Sequence, residues 1–487
     1  MPFDAKKWPV AVYTLGCKLN QLESESIADA FRKEGFFLAE STGEESGASI
    51  LIVNTCTVTS KSEQKARRVI RKALRENSEL ILIVTGCYAQ LEAEALESLD
   101  TSPLDGSPKD SSSFGPEKRL FVILGDSKDR LLELPHFLAA SGSAETDFSG
   151  LRELVSAWVL YQGQGRSSPA SADDPSFNYR PDGFSFHSRS FLKIQDGCDN
   201  HCSYCRTRIA RGKTRSLEAS EVLDCLRSLE EKGYEEAVLT GVNISQYLGK
   251  SKEGFLNLAE LLEYLVSETK SIRIRLSSIE PEPLFFSPAF IKAVSHKRIR
   301  PHFHLSLQSA SSVILKRMNR SYTPEEALEC IRLLQSAKGD PFLGCDIITG
   351  FPGETSAEFD KTFDFCQKVG FAGIHAFPFS RRPGTEAWNF KDRITEKEAG
   401  IRAEKLNCLA RMQRLDYVGR WIGREVEAIA EEGAFLSENY LKLHISSKNG
   451  FKPEAGRAYR CRILGRPEAK KEDLLYRRFD AEADIII

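Results

Sequence analysis

The chain has 487 residues, of which 41% are hydrophobic and 28% charged, with a formal net charge of -2. A single hydrophobic core stops growing at roughly 250 to 300 residues, so this length excludes a one-domain protein. The absence of any run of about 18 apolar residues argues against a membrane-spanning helix, and the near-neutral balance calls for no polyanionic partner, although whole-chain charge can hide local patches.

The opening "MPFDAKKWPV" has charge but no apolar core after it, unlike a secretory signal. A cytoplasmic location is therefore expected. In that reducing setting the 12 cysteines point to metal or redox chemistry rather than disulfides.

Residues 1–140 alternate strand and helix patterns. Aliphatic runs at Val10 to Thr14, Ser49 to Val53, Leu80 to Val84 and Leu120 to Leu124 are separated by amphipathic stretches such as "QLESESIADAFRKEGF" and "TSKSEQKARRVIRKAL". This predicts a doubly wound α/β domain. Three of the runs lead into a cysteine, in "VAVYTLGC", "SILIVNTC" and "LILIVTGC", which gives Cys17, Cys56 and Cys87. Ligands gather beyond the carboxyl ends of strands in such sheets. Free cysteine is also a common core residue, but the same slot three times favours convergence on a ligand.

A Ser/Pro/Asp-rich insert, "DTSPLDGSPKDSSSFGPEK", reads as a loose surface loop. Residues 141–187 turn small and polar, around "GQGRSSPASADDPS", and are expected to form a partly ordered linker.

Over residues 188–418 six strand-like runs recur: "SFLKIQ", "EAVLTG", "IRIRLSS", "HFHLSLQ", "FLGCDIITG" and "AGIHAFPF". Helical patterns between them imply repeated βα units and an incomplete (β/α)6 barrel, open on one side. A long charged helix is expected from Glu396 to Trp421. Residues 419–487, with "GREVEAIAE", "LKLHIS" and "AYRCRILG", alternate like the strands of a small β-barrel.

The strongest motif directly follows the first barrel strand. In "QDGCDNHCSYCRTRIARG", Cys198, Cys202 and Cys205 are spaced C-x3-C-x2-C. Three thiolates suit a [4Fe-4S] cube with one iron left open. A structural zinc with His201 as fourth ligand is the alternative, but no second C-x2-C follows to complete the usual pair of hooks.

With Tyr204 before the last cysteine, this motif resembles that of the radical S-adenosylmethionine (SAM) enzymes. The whole chain apart from insert and linker resembles one branch of them, the methylthiotransferases. The similar segments are "TLGCKLNQLESE", "VNTCTVT", "VTGCYAQ", "TGVNISQY", "SSIEP", "HFHLSLQSAS", "LKRMNRSYT", "DIITGFPGET" and "FPFSRRPGT", with "ENYLKLHI" resembling a strand of an RNA-binding TRAM barrel. Lys18-Leu19-Asn20 after the first cysteine looks most like the branch that modifies N6-threonylcarbamoyladenosine 37 of tRNA. The isopentenyladenosine branch usually has Gln-Met-Asn there, and the branch acting on a ribosomal protein Pro-Lys-Asn.

The resemblance implies two [4Fe-4S] clusters. One, on Cys198, Cys202 and Cys205, would bind SAM and pass it an electron, so that a deoxyadenosyl radical takes hydrogen from C2 of the adenine. The other, auxiliary cluster on Cys17, Cys56 and Cys87 would present the methylated sulfur. Tyr204 would lie beside the SAM adenine, and Thr240, Gly241 and Asn243 would meet its methionine end. Gln308 and Asp346 would line the pocket or merely bond strand ends. Implied partners are the tRNA anticodon loop and an electron donor such as a flavodoxin-type reductant, with no membrane.

Two departures from the family pattern stand out. Arg206-Thr207-Arg208-Ile209 replaces aliphatic residues and a proline after Cys205, and Ala310 stands where glycine is usual. Residues 188–215 carry seven basic and two acidic side chains, a net of +5 able to guide an RNA backbone or to be an ordinary solvated face. His304, Cys225 and Cys366 are taken as packing residues. The reading of a different class is a non-catalytic RNA-binding metalloprotein, with one closed metal site and no SAM turnover.

Overall fold

A computed structural model describes residues 2–39, 47–101, 118–164, 174–184, 190–283, 285–431, 433–445, 453–466 and 479–486. Most of the Ser-rich insert, most of "GQGRSSPASADDPS", and Ser188 and Arg189 at the expected start of the barrel lie outside these residues. The chain divides into two compact units. One is Met1–Phe186 with Gly197–Asp199 and Cys205–Lys213, and the other is His187–Asp196, Asn200–Tyr204 and Thr214–Ile487.

The first unit is built on a parallel sheet of β1 (Val10–Thr14), β2 (Ile50–Thr55), β3 (Ile81–Gly86) and β4 (Leu120–Val122), paired in sequence order. Successive side chains of a strand point to opposite faces. Accordingly Ile50, Ile52, Ile81 and Ile83 enter one core, while Leu51, Val53, Leu82 and Val84 enter another. Helix α1 (Lys18–Lys33) covers the first face through Ile27 and Phe31. Helices α2 (Ser60–Glu76) and α4 (Ala93–Thr101) cover the second through Ala66, Ile70, Leu74, Leu96 and Leu99, with the short α3 (Cys87–Leu91) between them in sequence. A sheet coated on both faces explains why its strands read as unbroken aliphatic runs.

One expectation fails here. After α5 (Leu134–Ser141), the supposed linker contains a 17-residue helix, α6 (Phe148–Gln164). Leu151, Val155 and Trp158, spaced i, i+4, i+7 on one helical face, are all buried in the first core. The small and polar residues on either side dilute that stripe in any composition count. The five-residue α7 (Thr207–Arg211) also belongs to this unit.

The second unit opens with β5 (Ser190–Lys193) and the short ribbon β6 (Gln195–Asp196) with β7 (Arg215–Ser216). Helix α8 (Ala219–Glu231) leads to β8 (Glu236–Thr240), followed by the hairpin β9 (Leu248–Ser251) and β10 (Gly254–Asn257). Asn257 and Glu260 then form a capping box that starts α9 (Leu258–Glu268). Next come β11 (Arg273–Leu276), β12 (Ser278–Ile279), α10 (Pro288–Ser295), β13 (His302–Gln308), α11 (Ser312–Arg317), α12 (Pro324–Lys338), β14 (Phe342–Thr349), α13 (Ser356–Val369), β15 (Gly373–Pro378) and α14 (Glu396–Trp421).

These strands form two parallel sheets, β11-β8-β5 and β12-β13-β14-β15. The Ile274–Ile299 bridge, with the Arg300 amide donating to the Ile274 carbonyl at 2.8 Å, joins them. With β11 and β12, separated only by Ser277, counted as one broken strand, the result is the open six-strand barrel read from the sequence. Along β13, Phe303, Leu305 and Leu307 are fully buried, whereas His304, Ser306 and Gln308 on the alternate face keep partial access.

The C-terminal strands β16 (Glu425–Glu431), β17 (Ala434–Ser437), β18 (Lys442–Ile445), β19 (Ala458–Gly465) and β20 (Ala481–Ile485) close a barrel in the order β16-β17-β18-β20-β19. All pairs are antiparallel except β18 with β20. Its core of Val426, Ala428, Phe435, Leu443, Cys461, Ile463 and Ala481 also takes in Tyr417 and Val418 of α14. Buried Arg300 ties the two barrels, bonding Glu236 and Glu427 at 2.7 Å each. Among the described residues no helix is long and apolar enough to cross a membrane.

Candidate active site

Adjacent strands of a sheet lie about 4.8 Å apart, so cysteines just past the ends of β1, β2 and β3 are brought together by the ladder itself. Glycine allows the close approach. A Cβ on Gly16 (φ 113°) would come within 2.6 Å of Cys56 Cβ and 2.8 Å of its Sγ. One on Gly86 (φ 97°) would meet Asn54 Oδ1 and the Thr55 amide at 2.6 Å. The backbone just before Cys17 thus lies against Cys56, and the backbone just before Cys87 against the Thr55 that precedes Cys56.

Buried polar residues fix the arrangement. Asn20 Nδ2 donates to the carbonyls of Leu15 (2.8 Å) and Thr55 (3.0 Å), and Asn54 Nδ2 donates to the Asn20 carbonyl at 3.0 Å. The Cys17 thiol lies 3.7 Å from Asn20 Oδ1. Burial pushes the Cys56 thiol up to about 12, and the neighbouring Cys17 and Cys87 add to the rise. A buried thiol held in its neutral form beside two others is a ligand that a cationic iron centre would draw into the thiolate.

The C-x3-C-x2-C loop is equally constrained. The Cys198 amide donates to the Gly212 carbonyl at 3.1 Å, and Gly197 (φ 69°) leaves no room for a side chain, since a Cβ would lie 2.6 Å from the Lys213 carbonyl carbon. The Ser203 amide and hydroxyl donate to the carbonyls of Met318 (3.1 Å) and Arg317 (2.7 Å). Arg320 donates to Cys202 Sγ at 3.3 Å and pairs with Glu280 at 2.8 Å, both side chains nearly fully buried. Glu280 also accepts from Asn200 (2.6 Å) and Asn243 (2.9 Å). Nothing within "SSIEP" or "LKRMNRSYT" marks Glu280 or Arg320 in the sequence alone. Their partners are remote in the chain, so no local pattern announces them.

The other expected residues sit as follows. Tyr204 packs edge-on to Phe351 with ring centres 6.4 Å apart. Thr240 is buried at the end of β8, beside Lys193 of β5. A Cβ on Gly241 would fall 2.6 Å from Gln195 Oε1, and the Asn243 amide donates to that same oxygen at 2.9 Å. Gln308 takes φ 62° where the β13 register shifts.

Asp346 binds His304 Nε2 at 2.9 Å and His375 Nδ1 at 3.3 Å. His304 is therefore not a packing residue. Its alternate-face position on β13 aims it at a carboxylate on the next strand. Buried Cys366, by contrast, lies against Cys345.

Among the described residues, the basic segment 188–215 is less available than its charge suggests. Arg206 pairs with Glu63 (3.3 Å) and Glu92 (2.8 Å), Arg211 with Glu23 (3.1 Å), and Lys193 with Asp196 (2.5 Å), all with side chains 7% exposed or less on the basic partner. Lys213 and Arg215 remain exposed. Ala310, in place of the usual glycine, is buried, and its amide donates to Thr362 Oγ1 at 3.1 Å.

Comparison with known proteins matches residues 192–366 to the radical SAM superfamily and residues 9–103 to uncharacterized protein family UPF0004. The chain is 41% identical over 477 residues to the threonylcarbamoyladenosine tRNA methylthiotransferase MtaB of Treponema pallidum, covering 93% of this chain and 98% of that one. The chain belongs to that methylthiotransferase family. The MtaB of Thermotoga maritima is 33% identical, covering 87% of this chain and 86% of its own. A tRNA-2-methylthio-N(6)-dimethylallyladenosine synthase of Anaplasma phagocytophilum is 27% identical, over 93% and 95%. Among solved structures, the radical SAM methyltransferase TsrM of Kitasatospora setae aligns with a TM-score of 0.47 and 16% identity, covering 78% of this chain and 76% of that one. As a member of the family this methylthiotransferase is a transferase that uses SAM and two [4Fe-4S] clusters.

Proposed function

We propose that the enzyme inserts a methylthio group at C2 of N6-threonylcarbamoyladenosine 37 in tRNA, in the cytoplasm, with Cys198, Cys202 and Cys205 holding the SAM-binding cluster and Cys17, Cys56 and Cys87 the auxiliary one. The observation that carries this reading is the 41% identity, over nearly the full length of both chains, to a relative named for that nucleoside. The C-x3-C-x2-C spacing of Cys198, Cys202 and Cys205, and the placement of Cys17, Cys56 and Cys87 just past three paired parallel strands, support it.

When bound, the clusters and SAM supply the one-electron and sulfur chemistry, while the protein positions and shields. The Glu280 network steadies the loop bearing Cys202 and holds Asn243 at the end of β8. In this reading Tyr204, Thr240, Gly241 and Asn243 contact SAM, and Gln308 and Asp346 line the pocket. Asp346 already carries two histidine partners, so its effect on a ligand would pass through His304 and His375 as well. The C-terminal barrel would grip the tRNA, and a flavodoxin-type protein would donate electrons. The proposed domains are residues 1–140 together with α6, residues 188–418 and residues 419–487.

Nucleoside analysis of tRNA from cells lacking the gene tests the substrate. The 2-methylthio derivative of threonylcarbamoyladenosine should vanish, and loss of the isopentenyl derivative alone would refute the assignment. Anaerobic reconstitution should give about eight irons per chain, four for each cluster, with cleavage of SAM to 5'-deoxyadenosine. One zinc and no cleavage would support the non-catalytic alternative instead.

A further inference from the structure

The auxiliary thiols have a buried guanidinium against them. Arg211, at the end of α7, donates from Nε to Cys87 Sγ at 3.1 Å. Its Nη2 donates to Asn20 Oδ1 at 3.0 Å, the same oxygen that faces the Cys17 thiol. Nη1 and Nη2 reach the Glu23 carboxylate at 3.1 and 3.3 Å, and Glu23 is in turn bonded by Lys128. Side-chain exposure is 7% for Arg211, 0% for Glu23 and 4% for Lys128. All three nitrogens of the fork are engaged, which fixes the plane of the guanidinium in a way no lysine could reproduce.

We propose that Arg211 is a positioning residue of the auxiliary centre: its Nε–H holds the Cys87 sulfur and, with the guanidinium charge, makes that centre easier to reduce. The proposal rests on the reading of Cys17, Cys56 and Cys87 as its ligands. Adding an electron to an iron-sulfur centre adds negative charge, and a hydrogen bond to a ligand sulfur from a buried cation stabilises the more negative state. Low local polarity strengthens the effect, because a charge at that distance is poorly screened. The role as a mere strut between α7 and α1 would need only the Glu23 contact. The bond to sulfur is what adds the electronic consequence.

The test uses the full chain with Cys198, Cys202 and Cys205 each replaced by Ala, so that only the auxiliary cluster can load, and compares it with the same chain carrying Arg211→Gln or Arg211→Lys. Iron content, the electron paramagnetic resonance spectrum of the reduced centre, and its midpoint potential are read under anaerobic conditions. Arg211→Gln should shift the midpoint to more negative values with an altered spectrum, and Arg211→Lys, which keeps charge but loses the fixed Nε–H, should fall between. Loaded variants with the parent potential and spectrum overturn the proposal. Should Arg211→Gln fail to fold, the Arg211→Lys potential decides alone by the same criterion. A parent that takes up no cluster overturns the ligand reading itself, and the Arg211 role with it.

Discussion

Arg206 and Glu63 meet 3.3 Å apart, with side chains 6% and 10% exposed, and Glu63 Oε1 also accepts the Thr57 hydroxyl at 2.6 Å. An arginine where the family usually has an apolar residue is thus matched by two acids, Glu63 and Glu92. Removing one partner leaves a buried charge uncompensated, which costs about 3 to 5 kcal/mol. Arg206→Leu should lower the melting temperature sharply, while Arg206→Leu combined with Glu63→Gln should recover much of the loss. Thermal melts of the single and double variants read the coupling, and additive losses would show that the pair is not an energetic unit.

Gly16 and Gly86 make a second point of test. Alanine at either must adopt a positive φ and displace the strand end bearing the next cysteine. Gly86→Ala should reduce iron on anaerobic reconstitution by about four per chain, the content of one cube, while SAM cleavage by the other centre continues. Full iron loading in Gly86→Ala would mean that the strand ends need not touch.

Replacing a proposed ligand separates the two centres functionally. Cys87→Ala should abolish methylthiolation yet leave 5'-deoxyadenosine formation largely present. Unchanged methylthiolation, read by mass spectrometry of tRNA nucleosides, would refute the ligand role of Cys87.

Asp346 gives a pH signature. Burial works against its ionisation, but hydrogen bonds from His304 and His375 hold the carboxyl well below the usual carboxylate range. A carboxylate depressed in the folded state adds stability above its unfolded value, about 3.9, and loses that contribution as pH falls through the folded one. Asp346→Asn should therefore melt earlier than the parent at pH 7, with the gap narrowing below about pH 4. A gap that is constant from pH 3 to 7 would rule out the charged pairing.

Elements with a dense local signal are legible in the sequence itself. The aliphatic runs of β2 and β3, the 26-residue α14 and the six barrel strands all announce themselves within a dozen residues. Helix α6 did not, because its stripe of Leu151, Val155 and Trp158 lies in a stretch whose overall composition is small and polar. Strand β20, "AEADI", alternates alanine with acids and has too little apolar bulk to register, although Ala481 and Ala483 are fully buried. The contacts of Arg211 were unreadable for another reason: Glu23 and Asn20 lie 188 and 191 residues away. Side chains that act through such distant partners leave no periodicity to find.

The parallel register Val12–Ile52–Ile83 has a further consequence for how the protein matures. Side chains in a strand alternate faces, so a slip of one residue in β2 would turn Cys56 away from its companions and send Ile50 and Ile52 into the wrong layer. A misaligned sheet and an intact three-thiol grip cannot coexist. On the proposed assignment of Cys17, Cys56 and Cys87 as cluster ligands, iron uptake by the first unit is a built-in check on strand alignment, able to separate correctly threaded molecules from compact impostors that a circular dichroism spectrum would score alike.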